Sequence, residues 1–161
     1  MTDPDLTERL LEGIRSPSKG IMLDTGHLMN TNTGLASQQE GIAYIHRMLD
    51  AHGGLCRHIR GIHLHQSLSG AYVRGHTGAV PANLPQDCLE QYGVNYRHIQ
   101  KIDRHQPWTA PEAASIVERL RPDYLTHELA AVSAGERRNA IIRQRKTVRT
   151  GLPSVPPPPP R

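Results

Sequence analysis

The sequence predicts an α/β chain in which helices alternate with the short strands of a parallel sheet. Three observations carry that expectation. Apolar stripes at helical spacing open on capping residues, and short apolar runs of strand length lie between them. Each of those runs also carries a histidine or a carboxylate at or next to its end.

The elements read in order as follows. Asp3 and Pro4 form an N-cap and first-turn proline ahead of a stripe of Leu6, Leu10, Leu11 and Ile14. The run Gly20–Asp24 (GIMLD) is a first strand. Ser37 and Glu40 pair as a capping box before Ile42, Ile45 and Leu49, with Gly53 past the end. Ile59–Leu64 (IRGIHL) is a second strand, followed by a long irregular stretch. Thr109 and Glu112 repeat the capping pattern before Ile116, Val117 and Leu120, which stop ahead of Pro122. Tyr124–Leu129 (YLTHEL) is a third strand, and Ser133 with Glu136 opens a last helix through Ile141 and Ile142. Alternation of this kind implies parallel strands joined by right-handed crossovers. From residue 150 the chain turns to a proline-rich tail ending LPSVPPPPPR, read as a disordered end or a ligand for a proline-binding module. The folded domain is therefore expected over residues 1–149 and the tail over 150–161.

Composition narrows the class. With 161 residues, 37% of them hydrophobic and no Phe, the chain suits one domain with a thin core. No apolar run approaches the roughly 18 residues of a membrane span, and no leader follows Met1, so a soluble, cytoplasmic protein is expected. Two cysteines, Cys56 and Cys88, suit a reducing compartment better than a disulfide framework. Seven of the 19 basic residues follow Glu136, leaving 12 against 15 acids, so residues 1–136 carry −3 and argue against a nucleic-acid partner.

The ten histidines are the chemical signal. The first strand ends in Asp24 with His27 close behind (LDTGH), the second holds His63 and His65 (GIHLHQS), and the third ends in His127 and Glu128 (THEL). A fourth cluster, Asp103-Arg104-His105, lies in the long connection. Taken singly, Asp24 reads as a turn cap, His63 as a core histidine, Glu128 as a surface acid, and Asp103 with His105 as an ordinary loop pair. Taken together, strand-end imidazoles and carboxylates suit a divalent ion such as Zn or Mn. His46, His52, His58, His76 and His98 fall on helical or flanking positions and receive no role.

The succession DTGH, GIHLHQS, DRH and HEL resembles the second half of the xylose isomerase-like (β/α)8 barrels, across about residues 3–145. That superfamily includes sugar isomerases and epimerases and the endonuclease IV group. The resemblance implies a partial barrel, approximately strands six to eight with flanking helices. It implies Asp24, His63 and Glu128 as ligands of a principal ion, and His27, Asp103 and His105 as ligands of a second ion in the endonuclease manner. A complete barrel takes about 250 residues; strands one to five, including a further Glu ligand, have no counterpart here. His65-Gln66 also stands where the endonucleases have Asn-Asp.

Two enzymatic functions and one non-enzymatic function follow from that resemblance. The first is a metal-dependent isomerase or epimerase of sugars or sugar phosphates, with Glu128 and His27 catalytic, and His27 and Arg104 contacting substrate. The second is phosphodiester hydrolysis with several ions. The third is a barrel fragment that pairs with a complementary half, or with itself through exposed strand edges.

Overall fold

The computed structural model describes residues 1–76, 78 and 83–151. Ten helical and strand elements occur among them, in the order α1 (Pro4–Gly13), β1 (Ile21–Asp24), α2 (Thr25–Asn30), α3 (Gln38–His52), β2 (Ile59–His63), α4 (Gly70–His76), α5 (Cys88–Ile102), α6 (Ala114–Leu120), β3 (Tyr124–Thr126) and α7 (Ala134–Gly151). Short 3₁₀ turns at Gly53–His58 and Pro111–Ala113 lead into β2 and α6. The three strands form one parallel sheet in the order β1-β2-β3. The proline-rich tail lies, from residue 152, outside the described residues. Among the described residues no helix is long and apolar enough to cross a membrane.

Capping explains where most helices begin. The Asp3 carboxylate accepts from the Leu6 N–H at 3.1 Å and starts α1. At α3 the Ser37 hydroxyl accepts from the Glu40 N–H, while the Glu40 carboxylate reaches back to the Ala36 N–H. The start of α7 repeats this arrangement, with Ser133 accepting from Glu136 and Glu136 accepting from the Val132 N–H. Thr109 differs from its expected role. Its hydroxyl accepts from the Gln38 side chain, whose carbonyl oxygen in turn accepts from the Thr109 and Ala110 N–H groups. The chain then enters α6 through a 3₁₀ turn that has no side-chain cap. A long-range amide has replaced the local box.

The stretch expected to be irregular contains α4 and α5. Asp87 caps α5 by accepting from the Leu89 and Glu90 N–H groups. Leu89, Tyr92, Tyr96 and Ile99 then follow at helical spacing but stay largely exposed. Another short helix, α2, starts directly at the end of β1.

Strand register sorts the sheet into two faces. Leu23 and Ile62 are partners across β1 and β2, and with Leu64 they pack against Ile45, Leu49, Trp108 and Ile116. All of these are at most 2% exposed. The alternate positions, Met22, Gly61 and Tyr124, form a row on the opposite face. There Met22 is 49% and Tyr124 67% exposed. One residue pair further along the same face lies the row Asp24, His63 and Thr126.

Candidate metal centre

Asp24, His63 and Thr126 occupy the carboxyl ends of the three strands, with His65 and Glu128 two residues beyond. Period-two alternation places His65 on the same side of its strand as His63. The threonine after Asp24 fixes the extension of β2. The Thr25 hydroxyl accepts from the His65 N–H at 3.1 Å and donates at 2.6 Å to the His65 carbonyl.

The loop carrying Asp103 and His105 is stitched to this edge. Gln66 and Gln106 exchange backbone hydrogen bonds of 2.8 and 3.0 Å, forming an isolated antiparallel bridge. The Ser67 hydroxyl donates to the Ile102 carbonyl and accepts from the Arg104 N–H. His105 itself adopts a left-handed backbone conformation with φ of 44°, a costly choice for a residue with a Cβ. Its carbonyl accepts from the Ala130 N–H, tying the loop to the segment after Glu128.

Six side chains thereby close into a ring in which carboxylates and imidazoles alternate. Asp24 Oδ2 lies 3.6 Å from His63 Nδ1, and His63 Nδ1 lies 2.7 Å from Glu128 Oε2. Glu128 Oε1 lies 3.5 Å from His105 Nε2, and His105 Nδ1 lies 3.4 Å from Asp103 Oδ2. Asp103 Oδ2 meets His27 Nε2 at 2.7 Å, and His27 Nδ1 returns to Asp24 Oδ2 at 3.3 Å. His65 forms the floor of the ring. It is fully buried, with its Nε2 2.9 Å from Asp24 Oδ1 and its ring stacked on His105 at 4.2 Å. The two trios, Asp24–His63–Glu128 and His27–Asp103–His105, each bring ligand atoms within 4.8 Å of one another.

Burial grades across the ring. Asp24 and Asp103 side chains are 14% exposed, whereas Glu128 is 39% and His27 61% exposed. The Asp24 carboxyl is held down at about 2: burial pushes it up, but contact with His65, the His27 N–H and the charges of both imidazoles outweigh burial. Burial likewise lowers the His27 imidazole, yet its bond to Asp103 and the nearby Asp24, Asp103 and Glu128 charges raise it overall. Three carboxylates gathered in a partly dry site repel one another, a repulsion that a divalent cation would relieve. Imidazole and carboxylate donors without a thiol suit Zn, Mn, Fe or Co. The Glu128 Oε2 and Asp103 Oδ1 atoms are buried without a well-directed hydrogen bond, which also fits donors aimed at an ion.

Arg104 turns its guanidinium to the Leu68 carbonyl at 3.3 Å. It lines a cleft of about 1030 Å³ together with Tyr72, Tyr96, Lys101, His105 and Glu128. His127 points the other way. Its Nδ1 accepts from the Gln144 amide, and burial with the nearby Arg145 charge lowers its pKa. The sequence reading places His65 with His63 among the strand-end imidazoles but assigns it to neither ion.

Comparison with protein-family models, curated proteins and solved structures found no match for this chain.

Proposed function

We propose that the chain carries the divalent-metal site of an isomerase or epimerase acting on a sugar or sugar phosphate. On this reading its fold is the strand six-to-eight portion of a xylose isomerase-like barrel. The carrying observation is the convergence of Asp24 and His63 at adjacent strand ends with Glu128 two residues beyond the third, beside a cleft that suits a polyol. Tyr72 and Tyr96 offer flat apolar surface to a sugar ring, while Lys101 and Arg104 offer cations to its oxygens or phosphate.

When bound, the ion supplies positive charge beside the substrate oxygens and stabilises the negative charge that develops as a proton leaves the adjacent carbon. Glu128, on the rim and half-exposed, is placed to take that proton and return it. His27 holds a substrate oxygen from the opposite side, positioned by Asp103. Arg104 orients the far end of the substrate.

The test is exchange of a substrate C–H for solvent deuterium, followed by NMR, across a panel of ketoses and their phosphates with Mn²⁺, Co²⁺ or Zn²⁺. Exchange by the wild-type chain and its loss in Glu128→Gln is the expected outcome. Metal uptake without exchange on any member of the panel sinks the proposed reaction.

A second reading, phosphodiester hydrolysis, is favoured by one observation: the His27–Asp103–His105 trio abuts the first through the 3.5 Å approach of His105 to Glu128. Two-metal hydrolysis uses ions about 3.5–4 Å apart. Against this stands the −3 charge of residues 1–136. Cleavage of abasic-site DNA that disappears, with one ion, in Asp103→Asn and His105→Ala would replace the isomerase reading.

The exposed sheet face supports a companion. Parallel sheets are ordinarily covered on both faces, and here Met22 and Tyr124 face outward. Self-association or a complementary barrel half would cover them, and light scattering distinguishes a monomer from a dimer. The two cysteines are free thiols, in keeping with a cytoplasmic setting.

A further inference from the structure

We propose that His65 is itself a metal ligand, forming with His105 and Glu128 a third donor set that joins the two trios into one cluster. This rests on the metal reading above but not on the reaction assigned to it.

His65, His105 and Glu128 present ligand atoms within 4.8 Å of one another. Glu128 belongs also to the Asp24–His63 trio, and His105 also to the His27–Asp103 trio. The shared residues are built for two sides. Glu128 turns Oε2 to His63 and Oε1 to His105, while His105 turns Nε2 to Glu128 and Nδ1 to Asp103. The His65 set thus occupies the junction between the other two.

Three features set His65 apart from a packed core histidine. The side chain is fully buried, its Nδ1 has no hydrogen-bond partner, and its Nε2 has only the poorly directed Asp24 carboxylate at 2.9 Å. Buried structural histidines normally satisfy their nitrogens, and a phenyl ring would fill this slot without orphaned polar atoms. The chain also makes room for the ring: a Cβ on Gly26 would stand 2.0 Å from its Cε1. Its backbone is clamped on both N–H and C=O by the Thr25 hydroxyl, which fixes where the imidazole emerges. A buried imidazole with one nitrogen beside an orienting carboxylate and the other unsatisfied is the arrangement of a ligand.

The experiment titrates the whole chain with Co²⁺ and Zn²⁺, reading affinity by chelator competition and the coordination sphere by Co²⁺ visible absorption. His65→Phe keeps a stacked ring and removes the nitrogens. It is expected to lower ion affinity at least tenfold and to change the Co²⁺ spectrum, while its metal-free melting temperature matches or exceeds the wild type. His65→Gly leaves a slot beside Gly26, and added imidazole is expected to restore Co²⁺ binding there. Equal affinity and an unchanged spectrum in His65→Phe overturn the proposal. Where that variant does not fold, failure of imidazole to rescue His65→Gly overturns it instead. If the wild-type chain takes up neither ion, the metal reading falls as well; normal uptake without substrate exchange touches only the proposed reaction.

Discussion

The two faces of the small sheet obey different rules. On one, Leu23, Ile62 and Leu64 are sealed beneath α3, α6 and Trp108, all at most 2% exposed. On the other, the same strands display Met22, Gly61 and Tyr124 in one row and Asp24 and His63 in the next. The covered face supplies the apolar burial that holds the strands in register. On the open face the same register sets the spacing of the Asp24 carboxylate from the His63 imidazole. On the proposed reading, stability and metal binding are thus carried by alternate residues of the same four- and five-residue strands.

Substitutions on the two faces test that division. Ile62→Ala is expected to cost about 2–5 kcal/mol, as deletions from close-packed cores do. Met22→Ala, two residues before Asp24 on the open face, should change stability by no more than about 0.5 kcal/mol. Chemical denaturation of the metal-free chain reads both, and similar costs would erase the distinction.

Ion binding should show the reverse pattern. Asp24→Asn or His63→Ala is expected to weaken divalent-ion affinity by about tenfold or more, and His46→Ala to leave it unchanged, in calorimetric titrations. Equal loss in all three would mean indiscriminate histidine chelation. Gly26→Ala is a subtler probe, because its methyl group must displace the His65 ring. A several-fold loss of affinity with a near-normal melting temperature is the expected result.

The smallest effect is in pH dependence, where two histidines have opposite signs. His46, between α3 and α6, has its pKa lowered by burial and by Arg119. The unfolded chain therefore binds its proton more readily, and stability is lost as pH falls below the ordinary 6.5. His27 on the open face is raised. Its contribution is present in full below 6.5 and fades as pH rises through the folded value. Melting curves of metal-free His46→Gln and His27→Gln should both part from wild type on acidification, the first toward higher and the second toward lower relative stability.

Much of this architecture was legible in local sequence. Asp3-Pro4, Ser37 with Glu40 and Ser133 with Glu136 carry capping chemistry within a few residues, and each opens the helix it announces. The apolar runs of β1 and β2 lie within one residue of their expected ends, while β3 stops at Thr126, short of Leu129. What escaped was non-local or weakly periodic. Thr109 has the spacing of a capping box, but Gln38, far away in sequence, satisfies the backbone there. The α5 stripe packs little apolar surface, so its Asp87 cap was the more telling sign. Asp24, His63 and Glu128 were visible as strand-end residues, and Asp103 with His105 as a cluster in the connecting loop. Their closure into a ring depends on the Gln66–Gln106 bridge, which nothing in either dipeptide announces.

One residue of α7 bears on when that ring can form. The Gln144 side chain is fully buried, accepts from the Trp108 N–H at 2.8 Å, and donates to the Leu64 carbonyl and to His127 Nδ1. Its orientation is forced, because only the amide oxygen can accept from Trp108 and only the NH₂ can serve Leu64. That single amide pins the ends of β2 and β3 and the segment after His105 across a sequence separation of 80 residues. Contacts of such span are slow to close and are entropically expensive until the rest of the chain is in place. On that ground the Gln144 contacts are expected to form late, together with the β2–β3 pairing that also joins residues far apart in sequence.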